Sequence, residues 1–290
     1  MNRPVILVTG GNGQVGSELK VRAAEFSNFD FLFIDKQEVD LTDSGALHGF
    51  LSTHSINYII NCAAYTAVDQ AEADIKNAQL VNQQVPGLLA DYCREHAIRL
   101  MHLSTDYVFD GTGNTPIAET EQPNPLSVYG KTKLDGEREI LDKLNNAYII
   151  RTSWVYSSYG KNFVKTMLSL GENRKELDVV YDQIGTPTNA NDLAGVILGI
   201  IQEIDAGNDS PGIYHYTNEG VASWYDFAVA IMNMASINCK VYPIPTSGFK
   251  TAAQRPTFSV LDKTKIKNQF KLQIPYWADS LEKTITLLRK

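Results

Sequence analysis

The chain has 290 residues, of which 43% are hydrophobic and 20% charged, and its formal net charge is −7. This composition is typical of a globular protein with a large core, and the acidic balance argues against a general binder of nucleic acid or of membrane surfaces. No apolar run approaches the ~20 residues of a membrane-spanning helix, and the first apolar run is too short for a signal peptide.

The three cysteines, Cys62, Cys93 and Cys239, are odd in number and far apart. They show none of the paired spacings that are typical of zinc sites or of a disulfide framework. We therefore expect reduced thiols, no cysteine-bound metal and a cytoplasmic location.

The first half of the chain alternates between apolar runs and helical patterns. Continuous apolar runs are typical of strands buried on both faces, and they predict strands at residues 4–9, 29–35, 57–64, 99–105 and 146–153. Helices are predicted between these strands at residues 14–25, 43–54 and 71–97. Asp43 is expected to cap the second helix, and Pro86 to kink or divide the third. The alternation predicts an α/β fold with a Rossmann-like, doubly wound parallel sheet.

The segment TGGNGQVG follows the first predicted strand and opens the first predicted helix. It matches G-x-G-x-x-G through Gly11, Gly13 and Gly16, and the wider pattern G-x-x-G-x-x-G beginning at Gly10. Such glycines allow a tight turn and a close approach of the backbone to a pyrophosphate, which the free N–H groups of the helix then face. The segment therefore predicts a dinucleotide-binding turn.

Asp35 ends the second predicted strand, where an acid that binds a ribose is expected. Its carboxylate can accept both ribose hydroxyls of NAD and would repel the 2′-phosphate of NADP, whereas the adjacent Lys36 would attract that phosphate. Because the two signals conflict, we expect the protein to use both NADH and NADPH.

The next two strands end in residues suited to a ligand. Ala63 and Ala64 leave room at the end of the third strand, and Ser104, Thr105 and Asp106 follow the fourth strand. Open α/β sheets bind ligands at this edge, and a hydroxyl there can bond a substrate carbonyl. Helix packing and a capped turn explain the same residues structurally.

After residue 153 the pattern is less regular. Helices are predicted at residues 161–173 and 223–235, short strands at 176–182 and 212–217, and an ordered loop at 247–262. We expect residues 1–153 to form the dinucleotide-binding domain. Residues 154–290 are expected to form mainly a smaller C-terminal substrate-binding lobe, with some segments returning to the main sheet.

The segment NPLSVYGKTKLDGE places Tyr129 and Lys133 four residues apart, on one face of a predicted helix. A charged lysine beside a tyrosine favours the phenolate, so the pair predicts a lowered pKa for Tyr129. By itself the pair is also typical of an exposed helix start. Together with the glycine turn and the Thr105 hydroxyl, it predicts a hydride-transfer site in which the protein supplies orientation and a proton.

These motifs resemble those of the extended short-chain dehydrogenase/reductase family. The matching segments are GQVGSEL, NCAAYTAVDQAE, LSTDYVFDGTG, NPLSVYGKTKLDGE, IIRTSWVYSSYGKNFVKTML, DQIGTPT and AAQRPTFSVLD. They extend from residue 13 to about residue 262, and the later segments favour a branch of the family that reduces nucleotide sugars.

The resemblance implies roles for individual residues. The cofactor would contact Gly10, Gly13, Gln14, Val15, Gly16, Asp35, Asp40, Leu41, Ala64, Tyr65, Thr66, Leu103, Tyr129 and Lys133. The substrate would contact Thr105, Asp106, Trp154 and Arg255. Tyr129 would donate the proton, with Lys133 and Thr105 as the other catalytic residues.

The implied activity is reduction of the 4-keto group of dTDP-4-dehydro-L-rhamnose to dTDP-L-rhamnose, with NADPH or NADH. Some relatives form dimers through magnesium held by glutamates. Glu18 lies at a comparable position, but the sequence offers no convincing acidic partner near the C-terminus. A homodimer and an interface magnesium ion therefore stay open expectations, and no metal-binding residue is assigned.

Two other interpretations of the motifs are left open. One is a nucleotide-sugar epimerase, reductase or dehydratase of the same fold, although STDYV lacks the glutamate that a 4,6-dehydratase needs after its aspartate. The other is a non-catalytic NADP-binding regulatory subunit resembling that of methionine adenosyltransferase. The intact set of Thr105, Tyr129 and Lys133 argues against this second interpretation.

Overall fold

The computed structural model describes residues 3–289. In chain order its strands are β1 (Val5–Thr9), β2 (Asp30–Ile34), β3 (Tyr58–Asn61), β4 (Arg99–Thr105), β5 (Tyr148–Thr152), β6 (Val155–Tyr156), β7 (Glu176–Val180), β8 (Ile184–Gly185), β9 (Thr188–Asn189), β10 (Gly212–His215), β11 (Ala222–Ser223) and β12 (Lys240–Ile244). Its α-helices are α1 (Gln14–Arg22), α2 (Ser44–Ser52), α3 (Val68–Ala71), α4 (Ile75–Gln79), α5 (Val85–His96), α6 (Val128–Lys143), α7 (Phe163–Asn173), α8 (Ala190–Asp205), α9 (Trp224–Met234), α10 (Thr264–Phe270) and α11 (Trp277–Leu288).

The central feature is a six-stranded sheet in the order β10–β5–β4–β3–β1–β2, with every neighbouring pair parallel. Every residue of β3 and β5 is buried, as the continuous apolar runs predict. Helices alternate with the strands through the first half of the chain. The predicted fold class, an α/β protein with a Rossmann-like parallel sheet, is confirmed.

Apolar side chains cover both faces of this sheet, since successive residues of a strand point to opposite faces. On one face Ile6 and Val8 pack with residues of α1 and α8 such as Ile197. On the other face Leu7 packs with residues of α2, α5 and α6 such as Leu89. The strand ends are the part of the sheet that these helices leave open to a ligand.

The strand order reverses beside β1. The chain goes from β1 outward to β2, and then returns to build β3, β4 and β5 on the other side of β1. In open α/β sheets the ligand site lies outside the carboxyl ends of the strands at such a reversal. Here those ends are Thr9 and Asn61, which face each other in the sheet register.

The helical stretch predicted at residues 71–97 is divided, but ahead of Pro86 rather than at it. A turn separates α3 from α4, and a π-helical turn at Leu80–Gln84 precedes α5. Pro86 lies in the first turn of α5, which continues directly from the π-helical turn, so its missing N–H falls at the junction of the two. Within the π-turn the Asn82 side chain accepts from the Tyr65 N–H at 2.8 Å and donates to the Thr132 hydroxyl at 3.2 Å. The π-helical turn is therefore accompanied by hydrogen bonds to residues outside the helix.

The second half of the chain builds a third apolar cluster from α7, α9 and α11, with Val164, Phe227 and Leu281 at its centre. The sequence did not predict α8, α10, α11 or β12. Asp43 and Asn189 cap α2 and α8 through their side chains, so a capping residue did mark the unpredicted α8. Strand β10 pairs with β5 in the main sheet. Within residues 3–289, no helix is both long enough and apolar enough to span a membrane.

Candidate active site

The turn between β1 and α1 fits a bound dinucleotide. Gly10 has a φ of 66°, and a Cβ there would lie 2.8 Å from the Ala63 nitrogen. A Cβ on Gly16 would overlap the Gly10 carbonyl oxygen. No side chain caps the first turn of α1, so its backbone N–H groups are available to an anion. Only glycine therefore fits at Gly10 and Gly16, two positions of the predicted pattern.

A cleft of about 640 Å³ opens from this turn along the strand ends. Every residue that the sequence assigned to the cofactor lines it: Gly10, Gly13, Gln14, Val15, Gly16, Asp35, Asp40, Leu41, Ala64, Tyr65, Thr66, Leu103, Tyr129 and Lys133. The structure thus brings these residues together, and their individual roles stay predictions.

Asp35 occupies one end of the cleft. Its carboxylate accepts the Asn12 N–H at 2.9 Å and the Lys36 N–H at 2.7 Å. Asp40 accepts both the hydroxyl and the N–H of Thr42, and these two hydrogen bonds lower the pKa of Asp40. Two oriented carboxylates therefore line the end of the cleft where the adenosine is expected.

Other residues of the cleft were not predicted. Gly160 and Lys161 line it from the second half of the chain, close to Val155. The Gln14 amide, at the start of α1, donates to the Val155 carbonyl at 3.3 Å and accepts from Asn162 at 3.0 Å. Because these contacts join segments about 140 residues apart, no local spacing in the sequence indicates them.

Helix α6 carries the tyrosine and the lysine into the cleft. Its N-terminus is capped by the Ser127 hydroxyl, which accepts the Gly130 N–H at 3.1 Å. Lys133 is 2% exposed and donates to the Leu103 carbonyl at 2.6 Å. Burial lowers the pKa of Lys133 to about 8, with the carboxylate of Glu137 opposing that shift.

The predicted lowering of the Tyr129 pKa is wrong for this structure. Burial raises the pKa of Tyr129 to about 12, a hydrogen bond with Thr105 opposes the rise, and the nearby charge of Asp106 adds to it. Desolvation of the phenolate outweighs any attraction to the lysine. Tyr129 is therefore protonated at neutral pH, which is the state a proton donor needs.

The strand β4 ends in a hydrogen-bonded turn that contacts Tyr129. The Thr105 hydroxyl accepts the Tyr107 N–H at 3.2 Å and donates to one Asp106 oxygen at 3.0 Å. The other Asp106 oxygen is buried and has no hydrogen-bond partner. Burial raises the pKa of Asp106 to about 6, although the hydroxyls of Ser259 and Thr105 oppose the rise. A ligand hydroxyl would need an opening of this turn to reach the buried oxygen.

Arg255 and Trp154 lie outside the cleft, as do Thr105 and Asp106. Arg255 is paired with Asp69 through two bonds of 2.6 and 3.1 Å, so a ligand phosphate would have to compete with this carboxylate or join it. The sequence assigned no role to Asp69. Arg255 also contacts Tyr107, whose ring meets that of Tyr129 edge-on at 5.6 Å.

Trp154 has a left-handed φ of 48° and stacks on Trp224, with 3.6 Å between the ring centroids. Its ring also lies next to Gly185 and close to the Ser259 hydroxyl. Because Ser259 is near enough to Asp106 to oppose the rise of its pKa, the residues predicted to bind substrate form one group of neighbours around Tyr129. Trp224 is a member of this group that the sequence did not reveal.

The geometry around Glu18 does not support the magnesium expectation. Its two carboxylate oxygens accept from the Ser157 hydroxyl at 2.6 Å and from the Asn191 amide at 3.0 Å, and the Arg22 guanidinium binds the same Asn191 side chain. Within residues 3–289, no group of three or more His, Cys, Asp or Glu side chains could hold a metal ion. Amide and hydroxyl donors occupy the carboxylate that a cation would need.

A glycine turn at the sheet reversal, with a partly buried Tyr129, a buried Lys133 and a hydroxyl at the end of β4, defines a dinucleotide-dependent oxidoreductase of the short-chain type. The chain belongs to the family of the RmlD substrate binding domain, whose model matches residues 3–290.

Several relatives of this chain are named as reductases of dTDP-linked sugars. It is 41% identical over 284 residues to a dTDP-4-dehydrorhamnose reductase of Aggregatibacter actinomycetemcomitans, covering 96% of this chain and 97% of the relative. It is 38% identical to a probable dTDP-4,6-dihydroxy-2-methyloxan-3-one 4-ketoreductase of Streptomyces antibioticus, over 95% of this chain and 92% of the relative. The crystal structure of dTDP-4-dehydrorhamnose reductase from Bacillus anthracis in complex with NADP superimposes with a TM-score of 0.94 at 35% identity, covering 99% and 100% of the two chains.

Proposed function

We propose that this protein reduces the 4-keto group of dTDP-4-dehydro-L-rhamnose with NADPH or NADH and so produces dTDP-L-rhamnose. The observation that carries the proposal is the group of Thr105, Tyr129 and Lys133 at the sheet reversal, in a chain that resembles reductases of this substrate over nearly its whole length. Residues 1–153 would bind the dinucleotide, and residues 154–290 would mainly bind the sugar nucleotide.

The chemistry divides between cofactor and protein. A reduced nicotinamide supplies the hydride when it is bound. Tyr129 is held protonated by burial, and it gives its proton to the keto oxygen as negative charge develops there. The Lys133 ammonium stabilises that charge, and the Thr105 hydroxyl orients the phenol and the substrate oxygen. One hydride and one proton convert the ketone to an alcohol.

The substrate contacts are part of the same proposal. The free oxygen of Asp106 would accept a sugar hydroxyl, and Trp154 would pack against the sugar or the nucleotide. Arg255 would meet the diphosphate, because a planar guanidinium binds phosphate oxygens in pairs. Its present partner, Asp69, would then share it or release it.

The decisive experiment follows the loss of reduced-nicotinamide absorbance with the keto-sugar made in situ from dTDP-glucose by the two preceding enzymes. Tyr129→Phe should lower turnover by about 10²-fold or more, since it removes the general acid. The matched control is Tyr58→Phe, which loses a phenol bonded to Asp205 at 3.1 Å outside the site. Full activity in Tyr129→Phe would refute the mechanism. No turnover in the wild type, despite cofactor binding, would favour the regulatory-subunit interpretation.

A second dTDP-linked keto-sugar is a specific alternative, because the Streptomyces relative is named for a different 4-keto substrate. Comparing kcat/KM for the two ketones separates these cases. A larger value for the second ketone would reassign the substrate and keep the proposed chemistry.

We also propose that both NADPH and NADH are used, with Asp35 limiting the preference for NADPH. Asp35→Asn should raise the ratio of kcat/KM for NADPH over NADH by about tenfold, or about 1.4 kcal/mol, because it removes a charge that repels the 2′-phosphate. The control is Glu38→Gln, a neighbouring exposed acid that does not line the cleft. Equal ratios in the two variants would contradict the role of Asp35.

A cytoplasmic location and a homodimer complete the proposal. The three free cysteines support a reducing compartment. The mass in solution, measured by light scattering with and without a chelator, tests the dimer and any dependence on a metal ion.

A further inference from the structure

Three polar side chains lie next to one another on one face of the main sheet, behind the active site. The sheet register places Thr9 of β1 opposite Asn61 of β3, and Asn61 opposite His102 of β4. Each is 1% exposed or less. They are on the face covered by α6, and the row they form leads to Lys133.

These side chains form a continuous row of hydrogen bonds. The Thr9 hydroxyl donates to Asn61 Oδ1 at 2.7 Å, and Asn61 Nδ2 lies 3.0 Å from His102 Nδ1. His102 Nε2 lies 3.2 Å from Lys133 Nζ. The Lys133 nitrogen is therefore held by two neutral protein groups, the His102 ring and the Leu103 carbonyl.

The number of protons in this row is limited. Burial and the charge of Lys133 keep the pKa of His102 well below its ordinary value, so the ring is neutral and carries one N–H. When Asn61 Nδ2 donates to Nδ1, that N–H is on Nε2 and points at Lys133. Lys133 must then accept, which only a neutral amine can do.

An ammonium at Lys133 requires the opposite direction. The Asn61 amide turns over, so that Nδ2 donates to the Thr9 hydroxyl oxygen and Oδ1 accepts from His102 Nδ1. His102 Nε2 then accepts from Lys133. The side-chain polar atoms of Asn61 and His102 are bonded in both arrangements, and His102 is neutral in both; in the second arrangement the Thr9 hydroxyl, which also accepts the Ala63 N–H at 3.4 Å, changes from donor to acceptor toward Asn61. The two differ by one proton, which Lys133 exchanges with water.

We propose that Thr9, Asn61 and His102 form a reversible hydrogen-bond row that holds Lys133 in the site both as an ammonium and as an amine. The ammonium uses two of its three N–H groups on Leu103 and His102, and the third faces the cleft. The amine uses one N–H on Leu103 and its lone pair on His102, and again one N–H is left for the cleft. His102 and Asn61 are thus positioning residues that act through Lys133, and their use in catalysis rests on the proposed function.

The other titratable groups near Lys133 are few. Glu137 and Tyr129 are on its own helix, Cys62 follows β3, and His102 is on β4. Glu137 is already bonded to Arg151 of β5. His102 is therefore the one titratable side chain of the described residues that the structure places in hydrogen-bond contact with Lys133 Nζ.

The test is the tautomer of His102, read from the ¹⁵N shifts of the ring nitrogens in the intact protein as the pH is raised. We expect the N–H to move from Nδ1 to Nε2 through the titration of Lys133, with no imidazolium at any point, and the movement to vanish in Lys133→Met. The signal is assigned by its loss in His102→Gln. A single tautomer across the titration, or an imidazolium, would overturn the proposal. This measurement needs no substrate, so its failure is distinct from failure of the proposed function.

A kinetic test uses two variants of His102. His102→Phe removes the ring nitrogen that accepts from Lys133. Because hydrogen bonds to a charged donor are stronger, the Lys133 ammonium loses more stabilisation than the Lys133 amine. The basic limb of the pH profile of kcat/KM should therefore move to lower pH by about one unit, a tenfold loss at high pH. His102→Gln, whose amide can donate or accept, should restore the limb. Coincident profiles for wild type and folded His102→Phe would overturn the proposal.

Discussion

Two buried cations, one on helix α6 and one on the neighbouring strand β5, are stabilised in opposite ways. Arg151 and Lys133 are each 2% exposed. Arg151 donates to both oxygens of Glu137, with Nε–Oε1 at 2.9 Å and Nη2–Oε2 at 2.6 Å. Among the described residues, the hydrogen-bond partners of the Lys133 ammonium are only the Leu103 carbonyl and the neutral His102. The paired charge belongs to the framework of the sheet, whereas the lysine without a carboxylate in contact is the one whose pKa is brought near neutrality.

Asp106 extends the comparison to a carboxylate. It is 1% exposed, and one of its oxygens has no hydrogen-bond partner. Burial without a cation raises its pKa to about 6. Unpaired buried charges therefore occur at the candidate active site, where desolvation changes their protonation, and the paired charge lies next to it.

The largest expected effect comes from breaking the paired charge. Arg151→Met should lower the free energy of unfolding by about 3–5 kcal/mol, because it leaves Glu137 buried without its cation. Urea unfolding measures the change. The double variant Glu137→Met/Arg151→Met should recover much of the loss. A loss below about 1 kcal/mol in the single variant would mean that the pair is not what stabilises this region.

Neutralising the unpaired carboxylate of Asp106 should change the free energy of unfolding in the opposite direction. The pKa of Asp106 is higher in the folded protein than in the unfolded chain. The free energy of unfolding therefore falls as the pH rises from about 4 to about 6, because the folded state must then hold a buried charge. At pH 7, Asp106→Asn should therefore stabilise the fold by roughly 1–3 kcal/mol, for a shift of about two pKa units at 1.36 kcal/mol each. Its turnover should fall.

The matched control for Asp106 is Asp110→Asn. Hydrogen bonds from Asn124 and Thr112 lower the pKa of Asp110, so this variant should be destabilised at pH 7. Urea unfolding at pH 7 and pH 4 checks both signs. The same sign in both variants would contradict the interpretation of buried, unpaired charge.

The smallest expected effect is on the pH dependence of kcat/KM. The Lys133 ammonium, with a pKa of about 8, is lost as the pH rises above that value. The value of kcat/KM should then fall by up to about tenfold per pH unit above pH 8. Tyr129, with a pKa of about 12, titrates too high to produce this limb. A flat profile up to pH 10, with the fold intact by circular dichroism, would show that the charge of Lys133 is not needed.

Prediction from sequence worked best where the signal is local. The strand runs, the glycine turn and the i, i+4 placement of Tyr129 and Lys133 each depend on neighbours in the chain. The sign of the Tyr129 pKa shift was wrong because spacing indicates a neighbouring charge but not burial, and burial is the larger cause. Likewise the π-turn around Asn82 is bonded to Tyr65 and Thr132, which no pattern within that segment reveals.

By itself, the sequence determined the alternation of strands and helices, the glycine turn after β1 and the placement of Tyr129 and Lys133 on one face of a helix, because periodicity and backbone sterics act over a few residues. Only the tertiary structure decided the rest of the site. Asp69 meets Arg255 from 186 residues away, and the row from Thr9 to His102 exists because three strands share one register. Desolvation and hydrogen-bond direction depend on everything packed around a group. The protonation states on which the proposed chemistry depends are therefore set by the fold.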